Sequence, residues 1–127
     1  MEIIKFSHNW NKKLCTDCFS TIRLYTTKFI AGRKYLIVLS EKGKESPVCE
    51  AEALEVRPFW SDQLTEGMAR LDTGYNREEA LNILRQMYGG RIEHQSLCWI
   101  LLKSTIRYSY LTEVLERLPL CAQVPNL

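Results

Sequence analysis

The spacing of apolar and polar positions changes period along the chain. Glu2 to Phe6 (EIIKF) is a short β-rich run, and His8-Asn9-Trp10-Asn11 then marks a turn and the start of a short helix through Leu14. Phe19 to Tyr25 (FSTIRLY) reads as a strand, although its alternation is loose. Arg33 to Leu39 (RKYLIVL), behind the turn residue Gly32, has the composition of a buried strand. Glu41 to Pro47 carries turn chemistry, after which Val48 to Val56 alternates again. Cys49, Ala51 and Ala53 share one face there, opposite Glu50, Glu52 and, after a switch at Leu54, Glu55, so these two strands form a hairpin.

From Ser61 the period becomes helical. Ser61 is the expected N-cap, with Leu64, Met68 and Leu71 on one side and an end at Asp72-Thr73-Gly74. Asn76 caps a second helix, and Glu79 three residues on completes a capping box. Its apolar stripe is Ala80, Leu81, Leu84, Met87 and Tyr88, and Gly89-Gly90 ends it. Leu97 to Lys103 (LCWILLK) reads as a buried strand. Ser109 opens a last helix with Leu111, Val114, Leu115 and Leu118 on one side, stopped by Pro119. Strands near residues 2–6, 19–25, 33–41, 47–57 and 96–103, broken by two helices, lack the regular alternation of a doubly wound parallel sheet. They predict an α+β chain, a small curved mixed sheet or partly closed barrel with helices at its rim.

Composition adds bounds: 127 residues, 46% hydrophobic and 25% charged, suit one core that needs no disulfide or metal staple. The longest apolar runs, such as Leu97 to Leu102, fall far short of the roughly 20 residues of a membrane span, and MEIIKFSHNW has no signal-peptide layout. A soluble, cytoplasmic protein without a membrane contact is expected. The net charge of +2 is uneven, because residues 1–36 carry seven Lys and Arg against Glu2 and Asp17, whereas the remainder sums to −3. A polyanion site should then be confined to one face. An odd count of five cysteines argues for reduced thiols, with Cys49 and Cys98 as small core residues. Cys15 and Cys18 form a C-x-x-C pair, but a redox couple wants a strand-to-helix setting and zinc wants a second ligand pair, for which only His8 is near. No metal and no cofactor is expected.

Phosphate-loop, dinucleotide, zinc-protease and nucleophile-elbow motifs are all absent. Arg23 sits among apolar neighbours, so its charge should face a cleft or a carboxylate such as Asp72 or Glu55. Trp10, Tyr25, Trp60 and Tyr75 lie near polar or loop segments, where an aromatic ring can stack a base while Arg and Lys hold phosphates.

The stretch Phe19-Ser20-Thr21-Ile22-Arg23, followed by Gly32, Tyr35 to Val38, Leu71 to Tyr75 and a capped helix, resembles the ASCH family of PUA-like domains over roughly residues 2–103. The resemblance implies a small PUA-like mixed β-barrel with flanking helices, here residues 1–107, with an extra C-terminal helix and tail at 108–127. It also implies a cleft for RNA or a modified nucleoside, and some relatives hydrolyse N-acylated cytidine. The family signature is Gly, a Lys two residues later and an Arg five beyond that. Arg23 matches the Arg, whereas Thr16 and Cys18 stand where the Gly and Lys belong. Three readings follow. The first is an RNA- or nucleoside-binding module whose basic cleft uses Lys13, Thr21, Arg23, Trp10 and Tyr75. The second is an amidohydrolase for a small N-acylated nucleoside, with Thr21 as nucleophile, Lys13 in place of the missing family lysine and Asp72 as acid or base. The third is a protein-interaction or adaptor domain, in which the stripe of the C-terminal helix packs on the barrel or pairs two chains as a homodimer.

Overall fold

The computed structural model describes residues 1–108, and the expected helix from Ser109 lies outside them. Its five strands are β1 (Glu2–Phe6), β2 (Cys18–Leu24), β3 (Lys34–Glu41), β4 (Lys44–Phe59) and β5 (Leu97–Arg107). Two α-helices, α1 (Glu66–Thr73) and α2 (Arg77–Tyr88), lie between β4 and β5. The sheet order is β1-β3-β4-β5-β2, with β1 parallel to β3 and every other pair antiparallel. This is an α+β fold in which one mixed sheet curls into a half-barrel.

The curl has local causes. Register shifts interrupt β3–β4 at Ile37/Val38 and β4–β5 at Glu50/Ala51 and Ala53/Glu55, and each such bulge bends and twists its strand. The last one falls at Leu54, which is exposed, and explains why the alternation of β4 switches there. Lys42 (φ 53°) and Gly43 (φ 74°) join β3 to β4 as a two-residue turn of left-handed residues, the geometry that matches strand twist.

Two apolar clusters flank β2 and β5. One fills the concave side and includes Phe6, Phe19, Tyr35, Ile37, Cys49, Cys98 and Ile100. The other lies between the sheet and the helices and includes Ile22, Leu24, Leu64, Ala69, Leu81, Leu84 and Leu97. Covered on both faces, β2 and β5 need apolar residues at consecutive positions. That accounts for the loose alternation of FSTIRL and the continuous run LCWILL.

Several expectations change in detail. The cap of α1 is Thr65, whose hydroxyl accepts from Met68 N at 3.1 Å, and Ser61 instead begins a 3₁₀ turn, Ser61–Gln63. The buried positions of α1 are Ala69, Asp72 and Thr73, while Leu71 is 75% exposed. Leu64 is buried just ahead of the helix and Met68 packs partly against the same cluster, so of the expected stripe Leu71 is the residue that turns outward. The Asn76–Glu79 capping box of α2 forms as expected, but Met87 is exposed instead of buried. The expected short helix before Leu14 is a 3₁₀ segment, Trp10–Cys15, kinked at two left-handed residues. Cys18, Cys49 and Cys98 are free thiols, the last two in the core. Among the described residues no helix is long and apolar enough to cross a membrane, and no group of three His, Cys, Asp or Glu could hold a metal ion.

Candidate functional site

The two edge strands of the half-barrel, β1 and β2, face each other without pairing, and a pocket of about 280 Å³ opens between them and the helices. Its wall draws Lys5 and Phe6 from β1, Thr21 to Arg23 from β2, Asp72 and Thr73 from α1, and Leu84 and Met87 from α2. Trp10 and Lys13 enter from the 3₁₀ segment.

Alternation along β2 divides its residues by task. Phe19 packs on the concave side, where Phe6 meets it edge-to-face at 6.0 Å, and Thr21 and Arg23 follow at two-residue spacing. Ser20, Ile22 and Leu24 take the other face, the latter two against the helices. Ser20 Oγ donates to Asp72 Oδ1 at 3.1 Å, which ties α1 to the strand.

Asp72 Oδ1 also accepts from Lys13 Nζ at 2.9 Å, and both side chains are almost wholly shielded from solvent. Lys13 reaches this position because Asn11 (φ 54°, ψ 21°) and Lys12 (φ 52°, ψ 27°) are left-handed, which turns the chain sharply just before it. Non-glycine residues in that region cost about 1–2 kcal/mol each and persist only where surroundings over-determine them. Here Asn9 Oδ1 accepts from Leu14 N at 2.9 Å, and Arg107 donates to the carbonyls of Leu14 and Thr16 at 2.9 and 2.7 Å. Burial depresses the Lys13 pKa below the usual lysine value, and the Asp72 carboxylate offsets only part of that effect.

Arg23 lies across the gap between the edge strands. Its Nε donates to Thr21 Oγ1 at 3.1 Å, its Nη2 donates to the Lys5 carbonyl, and its guanidinium lies 4.7 Å from the Phe6 ring centroid. Burial lowers its pKa too, yet a guanidinium remains charged in proteins. Neither carboxylate expected as its partner holds it, since Asp72 is taken by Lys13 and Glu55 pairs with Arg57. With two cations and one carboxylate the inner wall favours a ligand edge rich in acceptor oxygens, and Phe6, Ile22 and Leu84 supply an apolar side.

The structure thus brings Lys13, Thr21, Arg23, Asp72 and Trp10 to one pocket, and leaves Tyr75 beside it at 6.3 Å from the Trp10 ring. Ser20 escaped sequence reasoning because a hydroxyl within a strand carries no signal of its own. The Lys13 amine is bonded to Asp72 and the Thr21 hydroxyl to Arg23, so nucleophile and amine are not paired with each other. Cys18, at the position of the family lysine, is exposed and outside the pocket lining. The basic residues of the first third do not share one face: Lys13 and Arg23 line the pocket, while Lys28, Arg33 and Lys34 gather around the start of β1.

The fold has solved counterparts. Protein EF3133 from Enterococcus faecalis V583, of the family DUF984, superposes with a TM-score of 0.60 at 13% identity, covering 86% of this chain and 83% of its own. The hypothetical protein PH0355 superposes with a TM-score of 0.52 at 14% identity, covering 79% of this chain and 94% of its own. At such identities the likeness is one of fold. No family model and no curated protein matches the chain.

Proposed function

We propose that the chain is an ASCH-like, nucleoside-binding protein and that the pocket between β1, β2 and the helices takes one base with its sugar. The observation that carries this reading is the convergence of Lys13, Thr21, Arg23 and Asp72, drawn from three elements, on one pocket with largely apolar walls. A volume near the lower end of the roughly 300–1,000 Å³ typical of small-molecule sites suits a single nucleoside. Arg23 and Lys13 donate to carbonyl or hydroxyl oxygens, Asp72 accepts, and Phe6 and Leu84 pack on the ring. Calorimetric titration of the full chain with ribonucleosides in low salt tests it. Binding that Thr21→Val weakens about tenfold is expected, in line with the cost of leaving a buried donor or acceptor unmatched. No heat with any nucleoside removes the reading.

A second reading, amide hydrolysis of an N-acylated nucleoside, is favoured by Lys13, Thr21 and Asp72 lining the same pocket. In that reaction Thr21 Oγ attacks the acyl carbonyl and its proton passes to a neutral Lys13 amine. The acyl C–N bond then breaks as the proton goes to the departing exocyclic amine of the base, and water hydrolyses the Thr21 ester to release the acid. The depressed pKa of Lys13 helps, because more of the amine is neutral near physiological pH than for an exposed lysine. The step also requires Lys13 to turn from Asp72 toward Thr21. Turnover of acylated cytidine that disappears in Thr21→Ala supports hydrolysis, whereas equal rates for the two proteins leave binding as the function. The adaptor reading rests on the helix from Ser109, beyond the described residues.

A further inference from the structure

Beside the pocket lies an open depression of about 510 Å³ with a different character. Its wall is aromatic: His8 meets Trp10 edge-to-face at 4.6 Å, and Trp10 meets Tyr75 edge-to-face at 6.3 Å. Trp10 and Thr73 line both the pocket and the depression, so the two adjoin at these residues. Tyr75 and His8 are exposed, and Lys12 lines the depression with no carboxylate paired to it among the described residues. The single carboxylate in the lining, Glu41, is faced by His8 Nδ1 at 3.7 Å.

The backbone makes this arrangement deliberate. The two consecutive left-handed residues, Asn11 and Lys12, send Lys13 into the pocket while Trp10 and Lys12 stay at the depression. A half-buried indole and an exposed phenol ring beside a lysine unpaired among the described residues, adjoining a nucleoside-sized pocket, are the parts of a single-strand stacking platform. A free nucleoside fills the pocket and leaves the platform unused.

We propose that the Trp10–Tyr75 shelf is a second subsite that stacks the base adjoining the one held in the pocket, with Lys12 on the intervening phosphodiester, so that the ligand is a single-stranded oligonucleotide. This rests on the nucleoside reading of the pocket and extends it. The ribose–phosphate link passes the rim formed by Trp10 and Thr73, where a lysine can reach it.

The test compares ribonucleosides with the corresponding dinucleoside monophosphates on the full chain by calorimetry at several salt concentrations. Dinucleotides are expected to bind about tenfold more tightly, the lower part of the range for one stacked base. That advantage should collapse in Trp10→Ala and Tyr75→Ala and survive in Trp10→Phe. Lys12→Asn, which keeps a residue tolerant of the left-handed backbone, should lower the slope of log affinity against log salt by about 0.7 for dinucleotides only. Nucleosides that bind as tightly as dinucleotides, or an advantage intact in both aromatic variants, overturn the shelf and leave the pocket reading standing. Binding of neither probe overturns both.

Discussion

Lys13 Nζ and Asp72 Oδ1 stand 2.9 Å apart, from segments 59 residues distant in sequence, with 6% and 7% of their side chains exposed. A charge pair so withdrawn from water is sustained by mutual attraction and by the Ser20 hydroxyl, and neither partner is at home there alone.

Asp72→Asn should therefore be costly. Removing one member of a buried pair typically costs about 3–5 kcal/mol, because the other charge is left uncompensated. Urea unfolding of Asp72→Asn should show a loss of that order, and the Lys13 amine should titrate lower still. The double variant Lys13→Met/Asp72→Leu should recover most of the loss. A single variant within about 0.5 kcal/mol of the parent would mean that the pair is solvated in solution.

Arg23 bridges strands that share no ladder bonds, so its loss should act locally. Arg23→Ala is expected to cost about 2 kcal/mol, the scale of a hydrogen bond to a charged group. Amide exchange should accelerate more in β1, which pairs only with β3, than in α2. A uniform acceleration across the chain would contradict the bridging role.

Gly74 separates backbone strain from contact. Its φ is +82°, and a Cβ there would lie 3.2 Å from Asn11 Oδ1, against the turn that delivers Lys13. Gly43 has φ +74° with open space around it. Both alanine variants incur about 1–2 kcal/mol of left-handed strain, but only Gly74→Ala should also weaken nucleoside binding. Equal binding by the two variants would show that α1 does not hold the Lys13 turn in place.

Cys98 gives the fold a pH dependence of defined sign. Burial pushes its thiol up to about 12 from an ordinary 9.0, so the unfolded chain loses this proton before the folded one does. The contribution is complete below pH 9 and is lost as pH rises through the folded-state value of about 12. Unfolding free energies measured over that span should fall less steeply in Cys98→Ala, and parallel curves would refute the assignment.

Much of this protein follows from local pattern alone. Period-two runs, the Lys42-Gly43 turn and the Asn76–Glu79 box are interactions within a few residues, so all five strands and α2 are legible in the sequence to within a few positions. Lys13, Thr21, Arg23 and Asp72 were also nameable as residues, partly through the ASCH resemblance. Their partners were not. Of the two settings expected for Arg23, a cleft or a carboxylate, it takes the cleft and spans an unpaired strand edge, a gap that exists only once five strands have curled. Lys13 enters the pocket through two left-handed residues that no local pattern announces, held by Asn9 and by Arg107 at the far end of β5, and it meets Asp72 there instead of Thr21. The α1 register failed for a related reason: Asp72 and Thr73 are buried because the pocket and Ser20 are there to receive them, whereas Leu71 points outward. Sequence by itself determined the elements, since propensity and amphipathic spacing act over short range. Only the tertiary structure decided the site, because a buried charge finds its partner through the closure of the sheet and not through its neighbours in the chain.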